Sequence, residues 1–458
     1  MLRFFQRTFL VLALAGAVNS ASAFSLAGPF EDWQVEAIGY NIPNNADVSG
    51  PKNLGEEYRW NVKTITYGFD SSFLNYFGAK GTAAVMQAVA MLNNLTNVSQ
   101  MSSDLSEFPT DTRRVNYQAS ALGLLDMKTY SLAILLEELG LASPDRYAFT
   151  LRDTRVVNSV PQYLVIKRNF DPVTSVPSSY VNDALYTYYI GSFTLPVTFV
   201  DAVEVPVDPL AFTHRAVVSI SGGLWGRGAG FGGFVTGLTR DDVAGLRYLY
   251  GKSGSWRNLN IENLIPGTTG SGQNSGDCPW CPVGGTNTVS TNTVVDLALR
   301  PGVDKITFQL AKYDSTFGFF ITVTNQYTDS YMTNGTLKTQ TTQRVLTQPD
   351  ILFSAEDLGL TADGFPFIWR RSAPNWVNND ALNSQAALAG PGVILPQAVI
   401  TFSKLGPYIF NYSPNFLDEA GGNPGMLWGF FDGTTNAPVV FPDGVSIQYL
   451  EQQVLSGH

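Results

Sequence analysis

The chain has 458 residues, of which 44% are hydrophobic, 12% are aromatic and only 14% are charged, and its formal net charge is −10. This length predicts two or three domains, and the hydrophobic content is enough to build sizeable cores. Since an acidic chain has no basic surface for a phosphate backbone, nucleic acid is excluded as a partner. The low charge and the many Thr, Asn, Ser and Gly residues favour an exported protein rich in β-structure.

The N-terminal residues have the pattern of a secretory signal peptide. Arg3 and Arg7 give the positive start, residues 9–18 form a short apolar run, and residues 21–23 (ASA) offer a small-residue cleavage site. Cleavage after Ala23 removes two arginines and no acidic residue, which changes the formal charge from −10 to −12. The apolar run is too short for a membrane anchor, and no later segment has about 20 uninterrupted apolar residues. We therefore expect a secreted, periplasmic or cell-surface protein without a stable membrane anchor.

Residues 24–252 combine helical and strand patterns, which predicts an α+β domain. Leucines recur at helical spacing between Leu132 and Leu139, and Gly140 followed by Pro144 is the expected end of that helix. In chain order, the predicted elements are a strand over 58–69, a helix over 82–95, a helix over 118–126, the leucine-rich helix, strands between 147 and 220, a glycine-rich loop over 222–233 and a last helix that begins after Thr239.

Residues 253–290 are dense in Gly, Ser, Thr and Asn and are predicted to be a linker. Both cysteines of the chain, Cys278 and Cys281, lie in it, in the sequence DCPWCP. One pair cannot form a four-cysteine zinc site, and the motif does not open a helix after a strand as a thioredoxin-type dithiol does. In an exported protein the motif favours a local disulfide; free thiols, intermolecular pairing and a catalytic dithiol are the alternatives.

Residues 291–458 predict a mostly antiparallel, sandwich-like β-domain, because short strand patterns alternate with turn signals. The clearest local signal is Asn334-Gly335 between two alternating runs, which predicts a β-hairpin whose two central residues adopt positive φ. The later predicted strands cover 397–402, 408–411, 426–431, 439–441 and 445–450.

Three tryptophans of this second domain are candidate ligand-binding residues. Trp369, Trp376 and Trp428 could form a stacking platform for the sugar rings of an extracellular polymer. The alternative is that they belong to the core, as aromatic residues of β-domains usually do.

The stretch TGLTRDDVAGLRYLYG, residues 236–251, predicts a helix with Thr239 as its N-cap and Asp242 as the partner in a capping box. Asp241 and Asp242 also complement the positive end of the helix dipole. This stretch resembles the close of the catalytic domain of matrixins, a metzincin-type family of zinc metallopeptidases. The strand YRWNVKTITYGF and the helix GTAAVMQAVAMLNNL resemble its opening.

The resemblance implies a matrixin-like α+β fold, a mixed sheet with packed helices, but the zinc motif is missing. Matrixins bind zinc through HExxHxxGxxH, in which the Glu is the general base. When Gly140 is matched to the glycine of the motif, the three histidine positions fall on Ala133, Glu137 and Ser143, and the catalytic Glu position falls on Ile134. The resemblance therefore implies a degenerate domain.

The histidine count excludes the zinc chemistry however the chain is aligned. His214 and His458 are the only histidines, so no HExxH site can form, and we expect no metal and no cofactor. A serine-hydrolase triad would have to use His214, which begins a predicted strand and is more simply a structural residue. The sequence therefore favours a non-catalytic binding, adhesion or scaffold protein that engages an extracellular polymer or protein. The alternative is an extracellular peptidase or glycosidase that uses carboxylates, for which the acid pairs 137–138 and 241–242 are the visible candidates.

We expect the purified protein to hold no stoichiometric zinc, because two histidines cannot supply the three histidine ligands. Elemental analysis after incubation with zinc and gel filtration should give far less than one zinc per chain. One zinc per chain that survives gel filtration would contradict the absence of a zinc site.

Overall fold

A computed structural model describes most of the chain from Ser22 onwards. The described residues are 22–35, 38–40, 50–194, 198–221, 228–252, 258–265, 268–270, 294–311, 313–314, 319–359, 366–372, 376–378, 391–405 and 427–456. Cys278, Cys281, His458 and the strand predicted over 408–411 lie outside them. So does the predicted signal peptide up to residue 21.

Helices account for the smaller part of the regular structure. They are α1 (Ser71–Asn93), α2 (Tyr117–Ala121), α3 (Met127–Glu138), α4 (Pro144–Tyr147), α5 (Arg240–Tyr250) and α6 (Ile447–Ser456). None of these helices is both long and apolar enough to cross a membrane.

Strands occur along the whole described chain. In chain order they are β1 (Phe24–Gly28), β2 (Gly50–Lys52), β3 (Tyr58–Arg59), β4 (Thr64–Phe69), β5 (Arg113–Val115), β6 (Leu124–Asp126), β7 (Leu141–Ala142), β8 (Thr150–Val157), β9 (Val160–Ile166), β10 (Asn169–Phe170), β11 (Tyr180–Val181), β12 (Ala184–Phe193), β13 (Phe199–Pro206), β14 (Gly233–Val235), β15 (Leu259–Glu262), β16 (Thr268–Gly270), β17 (Ala298–Pro301), β18 (Thr307–Leu310), β19 (Tyr313–Asp314), β20 (Phe319–Phe320), β21 (Val323–Thr333), β22 (Thr336–Leu346), β23 (Ile351–Glu356), β24 (Trp369–Ser372), β25 (Trp376–Asn378), β26 (Gly392–Ile394), β27 (Ala398–Ser403), β28 (Leu427–Phe430) and β29 (Val439–Val440). Most pairings are antiparallel, so the predicted α+β class with mostly antiparallel sheets is confirmed.

One mixed sheet combines strands from both sides of the predicted linker. Its order is β18-β4-β23-β27-β24, in which the first four strands are parallel and β24 is antiparallel to β27. Two smaller pairings also cross the linker, since β26 pairs with β3 and β28 with β6, both in parallel. The segments before and after residues 253–290 therefore fold against each other and share hydrophobic contacts.

The core between this sheet and α1 is aromatic. Phe353 of β23 is fully buried, with its ring centroid 5.5 Å from Phe69, 6.3 Å from Phe73 and 6.4 Å from Phe402. Phe69 and Phe73 come from the N-terminal segment, whereas Phe353 and Phe402 come from the C-terminal segment. The hydrophobic contacts therefore join the same two segments that the sheet joins.

Several predicted elements are confirmed. The hairpin at Asn334-Gly335 forms between β21 and β22, and both residues have positive φ, 49° and 72°. The helix predicted over 82–95 is the second half of α1, which begins earlier and is kinked at Gly78, where φ is 58°. The capping box of Thr239 and Asp242 is present at the start of α5.

Other predicted elements are wrong, and non-local contacts explain two of them. The helix predicted over 118–126 ends at Ala121, because Leu124–Asp126 pair with a strand some 300 residues later in the chain. The strand predicted near 214–221 is a 3-10 helix over Val217–Ile220, because Asp242 accepts the backbone N–H groups of Val217 and Val218. Of the strand predicted over 445–450, residues 447–450 belong instead to α6.

We expect Phe353→Ala to destabilise the protein by about 3–5 kcal/mol, because the truncation leaves a cavity between the two segments. The control is Phe367→Ala, whose side chain is 46% exposed and should lose about 1 kcal/mol or less. Urea unfolding of both variants measures the difference. Similar losses in the two variants would contradict the placement of Phe353 in a shared core.

Candidate functional site

Helix α3, which carries Ala133, Ile134 and Glu137 of the positions matched to the zinc motif, is buried on every side. Its N-cap is Asp126, whose Oδ2 accepts hydrogen bonds from the backbone N–H and the hydroxyl of Thr129 at 3.0 and 2.6 Å. The other oxygen of Asp126 accepts the backbone N–H of Phe431 at 3.3 Å. Burial raises the pKa of Asp126 to about 6, although Lys128 and these hydrogen bonds act in the opposite direction. This cap fixes the start of α3 against the C-terminal segment.

The last turn of α3 ends in a buried cluster of acidic and basic side chains, which we call the carboxylate–arginine cluster and which consists of Glu137, Glu138, Ser221 and Arg371. The Nη1 atom of Arg371 lies 3.1 Å from Oε2 of Glu137, and its Nε atom lies 3.4 Å from Oε1 of Glu138. The hydroxyl of Ser221 donates to Oε1 of Glu137. Arg371 is 1% exposed and Glu138 is fully buried. One guanidinium group therefore provides the positive charge beside two buried carboxylates.

A second set of ion pairs lies just beyond the end of α3. Ser143 donates to Asp145 at 2.9 Å, and the other oxygen of Asp145 forms an ion pair with Arg215 at 2.7 Å. Arg146 forms ion pairs with Asp201 at 2.8 Å and with Glu204 at 3.6 Å. Burial alone would raise the pKa of Asp145, but Arg215 and hydrogen bonds hold it below its usual value. These carboxylates each lie beside a cation.

In the structure, the residues at the positions matched to the zinc motif have roles other than zinc binding. Ala133 and Ile134 are fully buried and have no ligand atom in their side chains. Glu137 is in the carboxylate–arginine cluster, and Ser143 donates to Asp145. Within the described ranges, no group of three or more His, Cys, Asp or Glu side chains is placed to hold a metal ion. Chemically, the side chains around the end of α3 can neutralise one another's buried charges.

The predicted tryptophans do not share one surface. Trp428 is 1% exposed, its Nε1 donates to the carbonyl of Ser403 at 2.9 Å, and Phe402 packs edge-on against it at 5.1 Å. That burial places it in the core, where a sugar ring cannot stack on it. Trp369 and Trp376 are half-buried and belong to different sheets, and Trp376 packs against a tyrosine of β3 at 4.8 Å.

His214 lies in an environment that is typical of a histidine with a structural role. Its Nδ1 lies 3.1 Å from the backbone carbonyl of Asn182, and the residue follows a 3-10 helix as its C-cap. A catalytic base needs a nucleophile within hydrogen-bond reach. Among the described residues, the hydrogen-bond partner of this ring is a carbonyl oxygen, which fits the structural interpretation of this histidine.

Sequence reasoning missed Arg371, the cation of the cluster. A usable signal was present, because side chains alternate along a strand and the consecutive residues Arg370 and Arg371 must point to opposite faces. In the structure Arg371 is 1% exposed, whereas Arg370 forms an exposed ion pair with Glu356 at 2.9 Å. The alternation indicates that one arginine points inwards, but it does not identify the acids that this arginine meets.

A second candidate site is an exposed hairpin formed by β8 and β9. Asn158 and Ser159 have φ of 51° and 64°, which gives the two-residue turn that matches the twist of paired strands. Val156 and Val160 are 72% and 59% exposed, and Leu164 is 54% exposed. We call these three residues the apolar hairpin surface. Val156 and Val160 lie on opposite faces of the hairpin, so both faces present apolar side chains to solvent.

Comparison with protein-family models, curated proteins and solved structures found no match to this chain. The function therefore has to be argued from the geometry of these two candidate sites.

We expect Arg371→Met to destabilise the protein by about 3–5 kcal/mol, because the change leaves Glu137 and Glu138 buried without this counter-charge. Arg370→Met is the matched control, because its exposed ion pair should contribute less than about 1 kcal/mol. Urea unfolding at pH 7 measures both losses. Equal, small losses would show that the cluster is not a buried ion pair.

Proposed function

We propose that this is an exported, non-catalytic protein that binds a protein partner through the apolar hairpin surface, on a degenerate matrixin-like scaffold. The observation that carries the proposal is the exposure of Val156, Val160 and Leu164 on both faces of one hairpin. Val160 and Leu164 share one face of the hairpin and Val156 lies on the other, and exposed apolar patches typically mark interaction sites. Covering it would gain about 25 cal/mol for each Å² of apolar surface removed from water.

The backbone of the hairpin supports the same proposal. Within the described residues, β8 and β9 pair only with each other, so the outer edge of each strand keeps its backbone donors and acceptors for another strand. Strand addition to such an edge combines backbone hydrogen bonds with side-chain contacts. This geometry suits a protein partner better than a polysaccharide, whose rings need a flat aromatic platform.

The carboxylate–arginine cluster supports the non-catalytic part of the proposal. A general acid or base must reach its substrate, and Glu137 and Glu138 are instead enclosed with Arg371. The alternative, a hydrolase with a carboxylate site, would require this cluster to open. The matrixin-like part rests on the sequence resemblance and on helix α5, which begins with the capping box of Thr239 and Asp242. Among the described strands of the mixed sheet, only β4 comes from residues 24–252.

The binding proposal can be tested with the exported protein and cells of the producing strain. We expect the protein to sediment with these cells, and the double variant Val156→Lys/Val160→Lys to lose at least about tenfold in apparent affinity, because charged side chains cannot enter an apolar contact. The control is Val173→Lys/Val176→Lys, which changes two valines that are 60% and 57% exposed elsewhere. It should bind like the wild type.

Pretreatment of the cells separates the two partner classes. Protease treatment should abolish binding, and periodate oxidation of glycans should leave it intact. Binding that survives protease and is lost with periodate would contradict a protein partner. Turnover of a peptide or glycan library would contradict the non-catalytic assignment if this activity co-purifies with the protein and is lost in Glu137→Gln.

A further inference from the structure

The two outer edges of the β8–β9 hairpin are not equivalent. The hairpin projects from the body of the protein, since residues 153–164 are all exposed. Val157 and Val160 close its two-residue turn and therefore form a hydrogen-bonded pair, and such pairs alternate with non-hydrogen-bonded pairs along an antiparallel ladder. Val156 and Pro161 are the next pair, so the backbone nitrogen of each points away from the other strand and towards an outer edge.

Pro161 obstructs the outer edge of β9, because its nitrogen has no hydrogen to donate to an added strand. The outward positions on β8 are Val156 and Thr154, and both have a backbone N–H. The N–H of Thr154 donates to Oδ1 of its neighbour Asp153 at 2.8 Å, as a donor that does not face β9 is free to do. The edge that suits strand addition is therefore the outer edge of β8.

The edge of β8 carries one negative and one positive side chain, Asp153 and Arg155. These residues flank Thr154, so both side chains lie on the same face of the strand. Arg155 donates through Nε to Gln162 at 3.1 Å, and Asp153 accepts the N–H of Thr154. Within the described part of the chain, neither residue forms an ion pair. The edge thus presents two opposite charges that can pair with another molecule.

We propose that the partner of the hairpin is a second copy of this chain, whose β8 pairs with β8 of the first copy in antiparallel orientation. A two-fold axis through Thr154 places Asp153 of each copy opposite Arg155 of the other, which gives two pairs of opposite charge. On this edge both pairs are non-hydrogen-bonded, and side chains lie closest in such pairs. An axis through Asp153 or Arg155 would instead place like charges opposite each other, which destabilises a sheet.

Self-pairing also accounts for the isolation of the hairpin. A two-stranded ribbon alone in water is marginally stable, whereas pairing through β8 joins the two hairpins into one sheet of four strands. Val156 lies within the paired region, so part of the apolar hairpin surface leaves water. Both outer edges of the joined sheet are β9 strands, each obstructed by Pro161, so assembly ends at two copies and does not continue into a fibre.

Charge exchange in the purified protein tests the self-pairing, with the association state measured by sedimentation equilibrium over a wide range of concentration. Asp153→Arg places arginines opposite each other, and Arg155→Asp places aspartates opposite each other. Each single variant should therefore dimerise at least about tenfold more weakly than the wild type. An equal mixture of the two variants restores opposite charges at both pairs, and it should form heterodimers at least as tight as the wild-type dimer.

The control is Arg370→Asp, which changes the net charge as Arg155→Asp does but lies in the exposed ion pair with Glu356. It should dimerise like the wild type. The proposal is overturned if the wild type is monomeric at every concentration, if the single variants dimerise like the wild type, or if their mixture forms no heterodimers. Because Asp153 and Arg155 are exposed, loss of folding does not explain a loss of dimer, and heterodimers in the mixture would show directly that both variants are folded.

This inference rests on the proposed function, because it takes the hairpin to be an interaction site, but the two proposals fail differently. A purified protein that is monomeric and still binds cells through Val156 and Val160 has a different protein as its partner, which overturns self-pairing alone. A protein that dimerises with the predicted charge dependence but does not sediment with cells supports self-pairing and contradicts the cell-binding proposal.

Discussion

The described fold depends most on the burial of Arg371 between Glu137 and Glu138. The contact joins the end of helix α3 to strand β24, which are 234 residues apart in the chain. Buried charges are tolerated only when they are paired, so the helix and the strand must meet in this one register. The same contact fills the place where the matrixin resemblance implies the middle histidine ligand of a zinc ion. At this position Glu137 is engaged in a buried ion pair.

Other buried charged side chains also connect distant segments. Arg59 and Glu262 are fully buried and lie 2.7 Å apart, which ties β3 to β15. Arg344 forms an ion pair with Asp350, whose Oδ2 also accepts the backbone N–H of Thr66 at 2.8 Å. A chain with few charges thus places several of them in its interior. Each such pair contributes to the specificity of packing, because an unpaired member would be strongly destabilising.

Local sequence signals predicted the elements that depend on local chemistry. The Asn334-Gly335 hairpin and the capping box at Thr239 both follow from residues within a few positions of each other. Two of the mispredicted elements depend on distant partners. Leu124–Asp126 become a strand because of residues 427–429, and Val217–Ile220 leave the strand pattern because Asp242 takes two of their N–H groups. One of Arg370 and Arg371 could be expected to point inwards, but neither which one does so nor the acids that it meets could be identified without the fold.

Glu137 has a structural role as the buried partner of Arg371, and the energetic coupling between these two residues tests that role most directly. A double-mutant cycle with Glu137→Gln and Arg371→Met, followed by urea unfolding at pH 7, measures that coupling. A buried ion pair predicts a coupling of about 1.5–3 kcal/mol, because removing both charges costs less than the two single losses together. A coupling below about 0.5 kcal/mol would contradict the account, since the two residues would then contribute independently.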